Sequence, residues 1–263
     1  MKQERKESRR HVDALLKALD ILDCFQVQPS LQLKQISEMT KLNKSRILRL
    51  CGTMESAGYL VHDRETGLYS LGPKLLSLGK VYERNNTLIA LARPILRDLA
   101  RLTGESASLF VVDGNKRLCL AREEGTHSIR YSVSEGQHME LYAGSGGKVL
   151  LAFGPAEFRR QLLKKGMLKR LTPNTIVDPK KLQKELELID RQGYGFSAGE
   201  RDSDAASLAA PVYNHEKEVC AALAIAGPIN RFLPEHNAEH LKMLLAVAQR
   251  LSWRLGYDSG DKR

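Results

Sequence analysis

Between residues 33 and 72 the spacing of apolar residues changes from helical to alternating, which leaves few folds open. Leu33, Ile36 and Met39-Thr40 recur at helical spacing, and after a break at Lys41-Leu42-Asn43 a second stripe runs Ile47, Leu50-Cys51, Met54, Ala57. Asn43 is placed to cap the second helix. The outer face of that helix collects Lys44, Ser45, Arg46, Arg49 and Thr53, with no acid before Glu55. Gly58 stops the helix, and residues 59–62 and 68–71 then read as strands joined through Asp63-Arg64-Glu65-Thr66-Gly67. Helix, turn, basic helix and hairpin predict a winged helix-turn-helix. A helix fits the major groove of a duplex, and Arg, Lys and Ser on its leading turns reach base edges and phosphates. A solvated face or a protein-docking wing is the competing reading. Cap, charge and hairpin agree better with DNA docking, with Lys44, Ser45, Arg46, Arg49, Thr53 and the wing residue Arg64 as candidate contacts.

Charge points the same way. The chain of 263 residues carries 41 Lys and Arg against 31 Asp and Glu, a net +10 that favours polyanionic partners. Residues 1–80 hold 14 basic against 9 acidic residues and the remainder 27 against 22, so the surplus is denser in the first region. Cys24, Cys51, Cys119 and Cys220 form no C-x-x-C pair, and three lie in apolar periodic segments, as expected of buried thiols in a reducing compartment. No apolar run approaches the ~20 residues that span a bilayer, and the start Met1-Lys2-Gln3-Glu4-Arg5-Lys6 is charged, so a cytoplasmic location is expected, nucleoid-associated when on DNA.

Residues 1–10 are expected to be a disordered basic tail, and residues 11–72 the reader. Val12, Leu15-Leu16, Leu19, Leu22 and Phe25 predict a first amphipathic helix that packs under the reader or forms a dimer contact. Residues 73–85 read as a linker helix opened by Pro73. Residues 86–258 make the second domain, and 259–263 a tail. Within it, Asn86 is placed to cap a helix over 87–103, kinked at Pro94, with Leu88, Leu91, Ile95-Leu96, Leu99 and Leu102 inward. Strands are predicted over 106–112, 117–121 and 128–132, then a helix from Lys148, a helix over 179–192, strands over 207–213 and 218–226, and a last helix over 235–255. The fold class is α+β, an antiparallel sheet with helices on one side.

Gly144-Ser145-Gly146-Gly147-Lys148 invites a phosphate-loop reading, which fails because Tyr142 and Val149 stand where that motif needs glycine and Ser or Thr. What remains is a ligand-facing helix start with exposed amides, or a plain tight turn. His236-Asn237-Ala238-Glu239-His240 has the H-x-x-E-H spacing but no third ligand downstream, so an exposed helical turn explains it better than zinc. Glu200, Asp202 and Asp204 read as a solvated or ligand-bordering loop. No nucleophile, base and orienting group assemble, so neither enzyme activity, cofactor nor metal is expected.

Laid out in order, these segments resemble the IclR family of bacterial transcription regulators. The resemblance runs from about His11 to Leu255. It rests on Leu42-Asn43-Lys44-Ser45-Arg46-Ile47-Leu48-Arg49-Leu50, Met54-Glu55-Ser56-Ala57-Gly58-Tyr59-Leu60 and Tyr69-Ser70-Leu71-Gly72 in the reader. In the second domain it rests on Ala143-Gly144-Ser145-Gly146-Gly147-Lys148-Val149-Leu150-Leu151-Ala152-Phe153, residues 195–200, Ala209-Ala210-Pro211-Val212 and Gly227-Pro228. The resemblance implies a GAF-like effector-binding domain behind the winged reader, and dimers or tetramers on palindromic double-stranded operator DNA. It also implies a repressor of genes for catabolism of a small organic acid or sugar acid. The implied effector pocket falls on Ser145, Gly146, Ser197, Ala205, Ser207, Ala224 and Ala226. Glu140 and Asp204 depart from the family pattern, and an acid at the pocket mouth would disfavour a simple dianion.

Overall fold

The computed structural model describes residues 12–85, 87–131, 133–164 and 167–258. The expected tails and the cap at Asn86 lie outside them. The chain divides into two compact units, residues 1–85 and 86–263.

In the first unit, helix α1 (Asp13–Cys24) leads through a short strand β1 (Ser30–Gln32) into α2 (Leu33–Thr40) and α3 (Lys44–Ser56). The hairpin strands β2 (Leu60–Asp63) and β3 (Leu68–Leu71) follow, then α4 (Pro73–Asn85). Lys41 takes the left-handed conformation at φ 58°, which stops α2, and Asn43 Oδ1 accepts the Arg46 amide at 2.9 Å to start α3. Strand β1 was not expected. It pairs antiparallel with β3, giving the order β1-β3-β2, because Leu31 opposite Tyr69 adds a buried residue to the wing's inner face. Ile21, Ile36, Ile47, Cys51, Met54 and Leu60 complete this small core. Gly72 closes the wing, where a Cβ would meet the Gly58 carbonyl oxygen at 2.3 Å.

The second unit is a six-stranded antiparallel sheet between helices. Its order is β6-β5-β4-β9-β8-β7, with β4 Ser106–Asp113, β5 Lys116–Glu123, β6 His138–Glu140, β7 Gly195–Ala198, β8 Ala205–Tyr213 and β9 Val219–Pro228. Helices α5 (Thr87–Thr103) and α9 (Pro234–Arg254) pack on one face through Ile95, Leu99, Leu244 and Leu251. Helices α6 (Ser145–Phe153) and α8 (Pro179–Gln192) pack on the other through Val149, Leu150, Leu186 and Ile189, with the short α7 (Ala156–Leu162) beside them. Helices therefore cover both faces, not one. The reason lies in β8 and β9, where Ala206 and Ala210 face one layer while Ala209, Ala222 and Ala224 face the other, so small side chains let both layers approach.

Four expectations on the second unit need correction. The third strand is β6, because residues 124–131 form loops and Arg117 pairs with Met139; Ser132 lies outside the described residues. Leu102 is 64% exposed, because the inward stripe of α5 passes through Leu99, Ala100 and Thr103. Helix α6 starts at Ser145, three residues before the expected Lys148, because Gly144 at φ 87° turns the chain early. Strand β7 had been read only as part of a motif. The residues of Cys24, Cys51 and Cys119 are buried, whereas Cys220 is half-buried.

Candidate functional site

On α3 the residues Ile47, Cys51 and Met54 turn inward, which leaves Lys44, Ser45, Leu48, Arg49, Gly52 and Thr53 exposed. Leu48 is half exposed on this face and is not among the contacts read from the sequence, which were all polar or charged side chains. Ser45 Oγ donates to Asn43 Oδ1 at 3.0 Å, and Thr53 Oγ1 donates back to the Arg49 carbonyl at 2.9 Å. Arg46 differs from its neighbours: half-buried, it turns to α1, where its Nη2 meets the Asp13 carboxylate. That hydrogen bond holds the Asp13 carboxyl below the usual carboxylate range. Arg64 stands exposed on the wing. Its loop is organised by Asp63, which accepts the Glu65 amide at 2.9 Å and the Thr66 hydroxyl at 2.7 Å; these bonds, Thr66 first, lower the Asp63 pKa.

In the second unit a cavity lies between the sheet and the start of α6, with about 490 Å³ of empty space when its open mouth is included. Ser145, Gly146, Ser197, Ala205, Ser207, Ala224 and Ala226 all line it. Register explains part of this convergence: Ser197 pairs with Ser207, and Ser207 with Ala226, so three of them cross neighbouring strands in a row. Gly146 leaves room for the wall opposite, since a Cβ there would sit 2.7 Å from the Phe110 ring. Ser145 Oγ donates to Ser207 Oγ at 2.7 Å.

The helix start is not open. The Gly144 amide donates to Glu200 Oε2 at 3.1 Å and the Ser145 amide to Ser207 Oγ at 3.4 Å, so the chain's own groups occupy these donors. Glu200 is buried and lines the cavity, so of the two readings of its loop, solvated or ligand-bordering, its side chain does not fit the first. Lys148 Nζ, 1% exposed, donates to Glu200 Oε1 at 2.6 Å, to Glu185 Oε1 at 2.8 Å and to the Phe196 carbonyl at 3.0 Å. Asp202, on the same loop, lines the cavity yet stays exposed.

Arg117, Arg122 and Arg201 also line the cavity, and sequence reasoning missed all three. Arg122 Nη1 donates to Ser108 Oγ at 3.0 Å, and its Nη2 to the Tyr131 carbonyl. Arg117 is pushed down to about 10, first by burial and then by the neighbouring Arg201 charge. The available signal was parity: Arg117 alternates in phase with Cys119, whose burial had been expected.

His236 lies outside the described side chains. Among the described residues no group of His, Cys, Asp and Glu suits a metal, and no helix is long and apolar enough to cross a membrane.

Two family models match. The IclR helix-turn-helix domain covers residues 14–64, and the C-terminal domain of the bacterial transcriptional regulator IclR covers residues 81–253. The HTH-type transcriptional regulator KipR of Bacillus subtilis is 30% identical over 243 residues, 92% of this chain and 97% of KipR. The transcriptional repressor IclR of Escherichia coli is 27% identical, over 93% of this chain and 90% of its own. The crystal structure of a regulator of the same family from Alicyclobacillus acidocaldarius superposes with a TM-score of 0.84 at 26% identity, over 94% of this chain and all of the other.

Proposed function

Because this chain belongs to the IclR family of bacterial transcriptional regulators, which are not enzymes, we propose that it is a ligand-responsive, sequence-specific DNA-binding repressor of genes for catabolism of a small organic acid or sugar derivative. The observation that carries this reading is the joint presence of an exposed basic helix on a winged scaffold and a sheet domain whose side chains converge on a cavity.

On this reading residues 11–72 read the operator, 73–85 link, and 86–258 bind effector and self-associate. Ser45, Arg49 and Thr53 face base edges, with Leu48 against thymine methyls, while Lys44 and Arg64 meet phosphates. Arg46 joins them only on leaving Asp13. Self-association is supported by α1, where Leu15, Leu16 and Leu19 are exposed beside Val12 at its start, and by exposed Leu76, Leu78 and Val81 on α4. A two-fold dimer then takes a palindromic site, and the protein works in the cytoplasm, on the nucleoid when bound. Effector occupancy changes operator affinity by favouring one quaternary arrangement.

Selection of bound fragments from genomic DNA at near-physiological salt, with an Arg46→Ala/Arg49→Ala double variant alongside, tests the reading. A palindrome enriched by the wild type and lost in the variant is the expected result. Uniform enrichment by both would leave only non-specific DNA coating.

A further inference from the structure

Among the described residues no carboxylate is hydrogen-bonded to two guanidiniums of the cavity wall, those of Arg117 and Arg201. Arg117 is 4% exposed, and among the described residues its side chain has one hydrogen-bond acceptor, Met139 Sδ, 3.9 Å from Nη2. Its Nε is sealed from solvent without a partner. Arg201 Nη1 meets the same sulfur. Rings back both cations: Phe110 lies 4.8 Å from the Arg117 guanidinium and Tyr131 5.2 Å from that of Arg201. A thioether is a weak acceptor, so a desolvated guanidinium and a half-buried one around the same sulfur form a costly arrangement.

Among the described residues the nearby carboxylates are engaged elsewhere. Glu200 is held by Lys148 and the Gly144 amide, and Glu135 by Arg93 at 2.6 and 2.9 Å. Around the cavity the cations Arg117, Arg122, Arg201 and Lys148 stand against the carboxylates of Glu200, its neighbour Glu185 on Lys148, and Asp202, which leaves one positive charge over. Ser145 and Ser207 are bonded to each other and Ser108 to Arg122, so few hydroxyls remain for a polyol, while Val133, Ala206, Ala224 and Ala226 are apolar.

We propose that Arg117 and Arg201 form the charge clamp of the effector pocket, and that the effector is a small monocarboxylate with a mainly apolar body. The proposal rests on the effector reading of this cavity and narrows its ligand class. The carboxylate takes the Nε and Nη donors of Arg117 side by side and shares Arg201, and the flexible Met139 side chain yields its place. A dianion would leave a charge unbalanced and meet Asp202; a neutral isostere would leave the clamp unpaired.

The experiment uses the full chain, with benzoate and isovalerate as monocarboxylates, benzamide as the neutral isostere and phthalate as the dianion, read by thermal shift and calorimetry. At least one monocarboxylate should raise the Tm, and benzamide and phthalate should not. Arg117→Met should weaken that monocarboxylate by about 10- to 100-fold, and Arg117→Lys by less. Arg117→Met should also raise the Tm without ligand, because an unpaired buried cation is gone; an arginine with a purely structural role would lower it. Equal binding of benzamide or phthalate, or benzoate and isovalerate affinities untouched by Arg117→Met, would overturn the clamp. Binding of neither monocarboxylate to the wild type would overturn the ligand class. Release of operator DNA by a filtered cell extract then separates the two failures, since it leaves the effector reading standing while the clamp falls.

Discussion

Cations in the two units are set up for opposite tasks. On α3, Lys44 and Arg49 stand in water at an exposed helix face, whereas Arg117 and Lys148 are 4% and 1% exposed in the second unit. Exposed charges attract a polyanion from a distance, screen readily, and gain affinity through counterions released from the duplex. Buried charges feel a low dielectric, so each needs a partner fixed in place, from the protein or from a ligand. Lys148 has its partners within the fold. Arg117 does not. Arg46 stands between these cases, paired to Asp13 at a surface from which it can be drawn away.

The largest separation between the two kinds of cation should appear in salt. If the reader meets six or more phosphates, operator affinity should fall by about 10³-fold between low and moderately raised salt, while monocarboxylate affinity falls little. Parallel titrations by fluorescence anisotropy and calorimetry check this, and equal slopes would erase the distinction. Next, Lys148→Met strands Glu200 as a buried carboxylate and should cost about 3–5 kcal/mol in urea unfolding; the added change Glu200→Gln should recover part of it. Arg49→Ala on the exposed helix should cost roughly 1–3 kcal/mol in operator binding if it reads a base, with specificity relaxed at one position. Asn43→Ala, which removes the α3 cap, should lose about 1 kcal/mol of stability.

The smallest effect tests the intermediate case. Asp13→Asn frees Arg46 and should raise operator affinity slightly, most visibly at low salt. Because the folded-state pKa of Asp13 is lowered, its pair with Arg46 is intact above the unfolded value and is lost as pH falls through the folded one. Acidification should therefore reproduce part of the Asp13→Asn effect in the wild type and none of it in the variant.

Much of the reader was legible because its signals are local. The Asn43 cap, the stop after Thr40 and the stripe through Ile47, Cys51 and Met54 are short-range properties of helices, and the structure repeats them. Strand β1 was not legible, since three residues with a single buried position carry no period until β3 lies beside them. In the second unit the glycine-rich turn could be read as a helix start, but not that Glu200, far along the chain, would fill it.

Sequence by itself determined the helix periods, the caps, the turns and the surplus of positive charge, because backbone conformation and apolar alternation act over a few residues. The tertiary structure decided which charges are paired. Whether Arg46 reaches Asp13, whether Lys148 finds Glu200, and whether Arg117 meets a methionine sulfur depend on residues that the fold brings together from 33, 52 and 22 positions apart. Ion pairing depends on distance and desolvation, and neither exists until the sheet and its helices have closed around the side chains.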